Sequence, residues 1–316
     1  MEKAIGGYFE LELPNRGEYH KNALRLNSGK NCLEFILRCR KYRKVYIPYY
    51  TCDVILKPFL KLGIAYQFYH INLNFEIADD IRLEECEALL YTNYYGLKQE
   101  YAKKLAISYG RQLIVDNTQA FFAMPIEGID TFYTCRKFFG VSDGAYLYTD
   151  AEPIKGLKQG ISYNRMEHLI KRIDLSPEEG FNDYHRNDES LAEDDIMLMS
   201  QFTQRMMQSI DYHAAIEQRI ANFRQLHDSL GESNLLQVEL DNASVPMIYP
   251  YMTERKDLRN ILISRKIYVA CYWPNVLEWT TKDDIEYMLA LHTQYLPVDQ
   301  RYEVEDMKRI LEVINE

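Results

Sequence analysis

Between residues 30 and 150, short apolar runs alternate with stretches whose apolar residues recur three and four positions apart. The runs at 44–49, 64–71, 88–94, 112–116, 131–134 and 145–149 are rich in β-branched and aromatic residues and have the length of strands. The stretches 31–40, 52–62 and 99–109 carry helical spacing. Strands alternating with helices predict an α/β fold with a mainly parallel sheet sandwiched by helices. Ligands of such sheets sit beyond the carboxyl ends of the strands. The segments to watch are therefore 48–51, 95–96, 116–119 and 134–137.

Further along, Ser176-Pro-Glu-Glu-Gly180 and Asn187-Asp-Glu-Ser190 interrupt any long periodicity, so an irregular insertion or lid is expected over about 151–200. Residues 201–230 read as a long helix or helix pair, with Met206, Ile210, His213, Ile220, Phe223 and Leu230 on roughly one side. From about Asn234 a second α/β unit is expected, with strands at 235–240, 247–251 and 266–271 and helices at 256–264 and 304–315. The division expected is a large domain over 1–230, including the insertion and the helical connector, and a small C-terminal domain over 231–316.

Composition narrows the function. The 316 residues include 47 acidic and 37 basic side chains, a net charge of −10, with no basic block to neutralise phosphates. Nucleic acid is not an expected partner. No apolar run approaches the ~18 residues that cross a bilayer. The first residues carry acids where a signal peptide needs an apolar segment. A soluble, cytoplasmic protein without a membrane partner is expected. The six cysteines are scattered with no C-x-x-C pair and read as reduced thiols. The seven histidines lack ligand spacing, so no metal is expected. Gly29-Lys30 is not a P-loop end, because Leu24 stands at the first glycine position and Asn31 follows the lysine. No G-x-G-x-x-G follows a strand, and no G-x-S-x-G is present.

Three segments share one chemistry: holding an anionic aromatic cofactor against a lysine. Asn27-Ser-Gly-Lys-Asn31 precedes a helix, whose free N–H groups and dipole make an anion site; it is equally a plain Ser/Asn cap. Leu113-Ile-Val-Asp116-Asn-Thr-Gln119 ends an apolar strand in a carboxylate. A buried carboxylate needs a cation, and a protonated pyridine nitrogen is one; capping the next helix is the plainer role. In Thr131-Phe-Tyr-Thr134-Cys-Arg136-Lys137-Phe-Phe-Gly140, a lysine in an apolar-aromatic setting would have its amine pKa lowered, which favours imine formation. Arg136 and Lys137 also read as a solvated basic pair.

The chain resembles a known family at Ser28-Gly29, Ile47-Pro48-Tyr-Tyr-Thr51, Asn93-Tyr-Tyr-Gly96, Val115-Asp116-Asn-Thr-Gln119-Ala and the Lys137 segment. These resemble the DegT/DnrJ-type aminotransferases, fold-type I enzymes that use pyridoxal 5′-phosphate (PLP) and act mostly on nucleotide-linked keto sugars. Arg265-Lys-Ile-Tyr-Val-Ala-Cys-Tyr-Trp-Pro274 and Leu289-Ala-Leu-His-Thr-Gln-Tyr-Leu-Pro297 extend the resemblance into the second domain, so it covers nearly the whole chain. It implies that Lys137 links to PLP and shuttles protons, that Asp116 pairs with the pyridine nitrogen, and that Gln119 lies near the ring hydroxyl. Gly29, Lys30 and Asn31 would supply backbone donors to the phosphate, and Thr134 a hydroxyl. Tyr49, Tyr50 or Tyr95 would stack on the ring or wall the site, and Asn164 would reach a neighbouring subunit's phosphate. The chain departs from the family pattern in carrying Cys52 at the usual stacking aromatic, Phe132 at a usual serine, and Gly144-Ala145 at a glycine pair.

The activity so implied is transamination from an amino donor, glutamate, to a keto sugar in surface polysaccharide or amino-sugar biosynthesis, by a homodimer. The rivals are a PLP-dependent lyase or dehydratase, against which the lysine speaks, and a non-catalytic scaffold of the same fold.

Overall fold

A computed structural model describes residues 5–316; the start read above as lacking a leader begins in residues 1–4, outside the described residues. The chain runs β1 (Leu24–Leu26), α1 (Gly29–Arg40), β2 (Lys44–Pro48), α2 (Leu56–Leu62), β3 (Ala65–Tyr69), β4 (Glu87–Thr92), α3 (Gln99–Tyr109), β5 (Leu113–Asp116), β6 (Asp130–Thr134) and β7 (Ala145–Tyr148). These strands make one sheet in the order β1-β7-β6-β5-β4-β2-β3. The pairs from β3 through β6 are parallel; β7 runs antiparallel to β6, and β1 antiparallel to β7. The period of two along the strands sorts the core. Leu89, Tyr91, Leu113 and Val115 turn to one face, and Ala88, Leu90 and Ile114 to the other. Both faces are therefore covered, as the α/β pattern predicts.

The stretch 151–200 is not irregular. It holds α4 (Glu167–Asp174) and α5 (Pro177–Glu193). The Ser-Pro-Glu-Glu sequence read as a breaker is a helix start: Ser176 accepts the Glu179 N–H, Pro177 stands in the first turn, and two acids face the helix dipole. At Gly180 a Cβ would lie 2.9 Å from the His168 carbonyl oxygen, so the missing side chain lets α5 close on α4. The helical stretch after it is a pair, α6 (Gln201–Ser209) and α7 (Tyr212–Leu230), the second capped by Asp211 accepting from the Ala214 N–H.

In the C-terminal part, β8 (Ile248–Met252) is followed by α8 (Leu258–Ser264), α9 (Val276–Trp279), α10 (Ile285–His292), β9 (Thr293–Pro297) and α11 (Val304–Asn315). Its sheet is two antiparallel strands, β8 and β9. The strand expected at 235–240 finds no ladder partner, and that at 266–271 is reduced to one bridge, Ala270 to Tyr295. Alternating apolar residues suit an extended chain, but only a neighbour makes it a strand.

One consequence for stability arises in the aromatic core. His20 is 1% exposed. Its Nε2 lies 2.7 Å from the Phe121 carbonyl oxygen and donates to it, and its Nδ1 accepts from the Tyr148 hydroxyl at 3.2 Å. Burial among Tyr19, Phe121, Tyr133, Tyr146 and Tyr148 pulls its pKa down to about 4. The unfolded ring takes a proton near its ordinary 6.5, the folded ring only near 4. This contribution is whole above pH 6.5 and is lost as pH falls toward 4, by about 3 kcal/mol. Urea unfolding of wild type and His20→Phe between pH 7 and 4.5 should show a shallower pH slope in the variant; identical slopes would refute the role.

Candidate active site

The site lies where the carboxyl ends of β5 and β6 meet the start of α1. Ser28 caps α1, its Oγ accepting the Asn31 N–H at 3.2 Å, while the Cys32 N–H reaches the Ser28 carbonyl. The Gly29 and Lys30 N–H groups have no acceptor among the described residues. A Cβ on Gly29 would stand 2.9 Å from Thr118 Cγ2, so glycine is what lets α1 abut the loop after β5. Asp116 closes β5, buried at 6% exposure, with its Oδ1 accepting the Thr118 N–H at 2.8 Å. Burial raises the Asp116 pKa, and the Lys137 charge and the Thr118 bonds bring it partly back. Lys137 Nζ donates to Thr118 Oγ1 at 3.5 Å. Thr118 thus joins the helix start, the carboxylate and the lysine.

Two further groups border this centre. Gln119 is wholly buried; its Oε1 accepts the Tyr95 N–H at 3.0 Å, and its Nε2 has no partner among the described residues. A buried amide left with an idle donor fits a ligand acceptor. Burial pushes the Cys52 thiol up, and the Lys137 charge draws it partly back. The residues present fit PLP: idle N–H groups for a phosphate, a buried carboxylate for a ring nitrogen, a spare amide donor and a lysine.

Other expected residues are placed differently. Asn31 offers no backbone donor, since Ser28 takes it; its side-chain Nδ2 donates to the Asn27 Oδ1 and the Asp194 and Asp195 carbonyls. The Lys30 ammonium binds the Ala192 and Asp194 carbonyls at 3.0 and 2.8 Å, which leaves only its N–H for a ligand. Thr134 aims its hydroxyl at the Gly144 carbonyl, 3.4 Å away, and Thr118 is the hydroxyl at the centre instead. Tyr49 stacks on Phe68 at 4.6 Å. Tyr50 and Tyr95 are wholly buried; the Tyr50 hydroxyl bonds both Tyr95 and Tyr295, and Phe75, Tyr94 and Trp273 pack on the rings. Tyr50 and Tyr95, so enclosed, are not free to stack on a cofactor, whereas Tyr49 is half-buried. Asn164 is exposed, with no hydrogen bond among the described residues.

Arg136 pairs with Asp188 at 2.7 Å, and Tyr184, also on α5, lies beside it. Lys137 itself is exposed and not enclosed by aromatics. The Phe138 and Phe139 N–H groups both bond the Cys135 carbonyl, a helical turn that swings each successive side chain about 100° and sends the phenylalanines inward. Hollows of about 410 and 340 Å³ lie elsewhere, under residues 9–14 and beside β3. Thr118 was missed in the sequence because nothing local says that a residue two past the aspartate meets a helix start some ninety positions earlier. Among the described residues no group of three His, Cys, Asp or Glu is placed to hold a metal, and no helix is long and apolar enough to cross a membrane.

No protein-family model matches the chain, and no curated protein matches it in sequence. Solved structures do match. A DegT DnrJ EryC1 StrS aminotransferase from Brucella abortus is 15% identical, over 93% of this chain and 85% of its own, with a TM-score of 0.64. The sugar aminotransferase CalS13 from Micromonospora echinospora is 13% identical, over 92% and 86%, at 0.62. The E. coli GDP-4-keto-6-deoxy-D-mannose-3-dehydratase, solved with bound hydrated PLP, is 15% identical, over 92% and 87%, at 0.65. At such identities the likeness speaks for the fold, and the chain has the α/β fold that these aminotransferase and dehydratase structures share.

Proposed function

We propose that the protein is a PLP-dependent aminotransferase that passes an amino group from glutamate to a keto group on a nucleotide-linked sugar, in surface polysaccharide or amino-sugar biosynthesis. The observation that carries the reading is the meeting of Asp116, Lys137 and the open start of α1 around Thr118. The Gly29 and Lys30 N–H groups take the phosphate, aided by the helix dipole. Asp116 holds a positive charge at the ring nitrogen, and Gln119 Nε2 donates to the ring hydroxyl. PLP bound there supplies an electron sink for the bonds at the amino carbon. Lys137, bound only to a hydroxyl, is free to take a proton from the donor's α-carbon and return it at the next position. The fold shared with sugar aminotransferases supports a sugar acceptor.

A homodimer of two-domain subunits, divided near residue 230, belongs to this reading. Its support is the exposed Lys137 and the exposed Ile170, Ile173, Leu175 and Phe181 on the α4–α5 hairpin, surface that a second copy would cover. The test is a half-reaction: protein loaded with PLP is mixed with glutamate, then with a panel of nucleotide-linked keto sugars. Loss of the visible cofactor band, release of 2-oxoglutarate and gain of an amine on the sugar are expected. A sugar that loses a hydroxyl without gaining an amine would establish the dehydratase instead, and failure to take up PLP would leave a scaffold.

A further inference from the structure

Arg219, in the middle of α7, is 1% exposed and has no ion pair among the described residues. A guanidinium taken out of water without a carboxylate in contact is costly, and burial pulls its pKa down to about 10. Every bond it makes runs to one junction. Nε donates to Gln300 Oε1 at 2.8 Å, Nη1 to the Pro246 and Met247 carbonyls at 3.1 and 3.2 Å, and Nη2 to the Phe138 carbonyl at 3.4 Å. The guanidinium also lies 4.6 Å over the Phe138 ring, and Gln300 Nε2 donates to the same Phe138 carbonyl at 2.8 Å. Phe138 directly follows Lys137. On the other side, the Met247 N–H bonds the Tyr95 carbonyl at 2.8 Å, and the Tyr95 N–H bonds Gln119 Oε1.

We propose that Arg219, together with Gln300, is a positioning residue that sets the spacing between Lys137 and Gln119 and makes it depend on the seating of the β8–β9 unit. The inference rests on the reading of Lys137 and Gln119 given above. Three backbone carbonyls, those of Phe138, Pro246 and Met247, and a ring face converge on the pair, and the two chains of contacts end on the two sides of the candidate site. Without the clamp, the turn at 135–139 keeps its own hydrogen bonds and its packing on Phe121 and Phe122 but loses the polar tie of the Phe138 carbonyl to α7 and to Gln300.

Arg219→Met, Arg219→Lys and Gln300→Leu test it with two readouts. The first needs no cofactor: backbone hydrogen exchange should rise about tenfold at 135–141 and 94–97 in Arg219→Met, with β4 and β5 unchanged. The second is borohydride trapping of PLP, where the preference of the label for Lys137 over other lysines should fall about tenfold and recover in part in Arg219→Lys. Unchanged exchange at 135–141 would overturn the proposal, as would a uniform rise across the sheet with the preference for Lys137 intact. Should Arg219→Met not fold, Gln300→Leu decides by the same two readouts, since Gln300 is only partly buried. A wild type that takes no label at Lys137 defeats the aminotransferase reading, while the exchange result still judges the clamp.

Discussion

Lys137→Ala is expected to lower turnover by at least about 10³-fold, because it removes both the nucleophile and the proton carrier. Borohydride trapping of PLP should lose its main site at the same time. Lys30, at the start of α1, cannot substitute, because it is tied to two carbonyls at the end of α5. The fold should hardly notice, since Lys137 is exposed and makes one 3.5 Å bond, and such changes cost within about 0.5 kcal/mol. Thermal melting of the cofactor-free variant should therefore match wild type. Retained turnover would end the present assignment of the site.

Asp116→Asn should divide stability from activity. Burial raises the Asp116 pKa, so the folded protein binds this proton more tightly than the unfolded chain does. Its ionised form is thus a penalty at neutral pH, absent once the pH falls below the ordinary carboxyl value of 3.8. Asparagine keeps an acceptor for the Thr118 N–H and carries no charge. The cofactor-free variant should be more stable than wild type at pH 7, and the gap should shrink on acidification. Turnover should fall about 10²–10³-fold, the usual loss when one preorganised electrostatic partner is removed. PLP should also raise the melting temperature of wild type more than that of the variant. Denaturant unfolding at pH 7 and pH 4 measures the first, the half-reaction with glutamate the second, and thermal melting with and without PLP the third. A variant less stable than wild type at pH 7 would show that Asp116 already has its counter-charge without a cofactor.

Opposite outcomes at neighbouring positions show how far the sequence is legible here. Asp116 was readable because three apolar residues before it set a strand, and a carboxylate ending a buried strand has few explanations. Gln119 and Lys137 stand just after strand ends, and the roles expected of them came from the family resemblance. The backbone donors of Gly29 and Lys30 were readable from a glycine at a helix start, but the loss of Asn31 was not. That loss turns on whether the serine hydroxyl rotates inward to cap. The tyrosines at 50 and 95 are placed otherwise for another reason: an aromatic beside a site looks the same in sequence whether its face meets a ligand or another ring. Packing decided it, with Phe75, Tyr94 and Trp273 against those rings.

The sequence by itself determined the alternation of strands and helices, the two faces of the sheet and which polar side chains stand at the ends of β5 and β6. These depend on periodicity and on neighbours a few residues away. Only the tertiary structure decided that Thr118 joins the helix start to the lysine, that the Ser-Pro segment opens a helix lying against α4, and that Arg219 reaches the residue after Lys137 from 81 positions along the chain. Such contacts are chosen by how separate surfaces fill space and satisfy buried polar groups, and no local pattern encodes that choice.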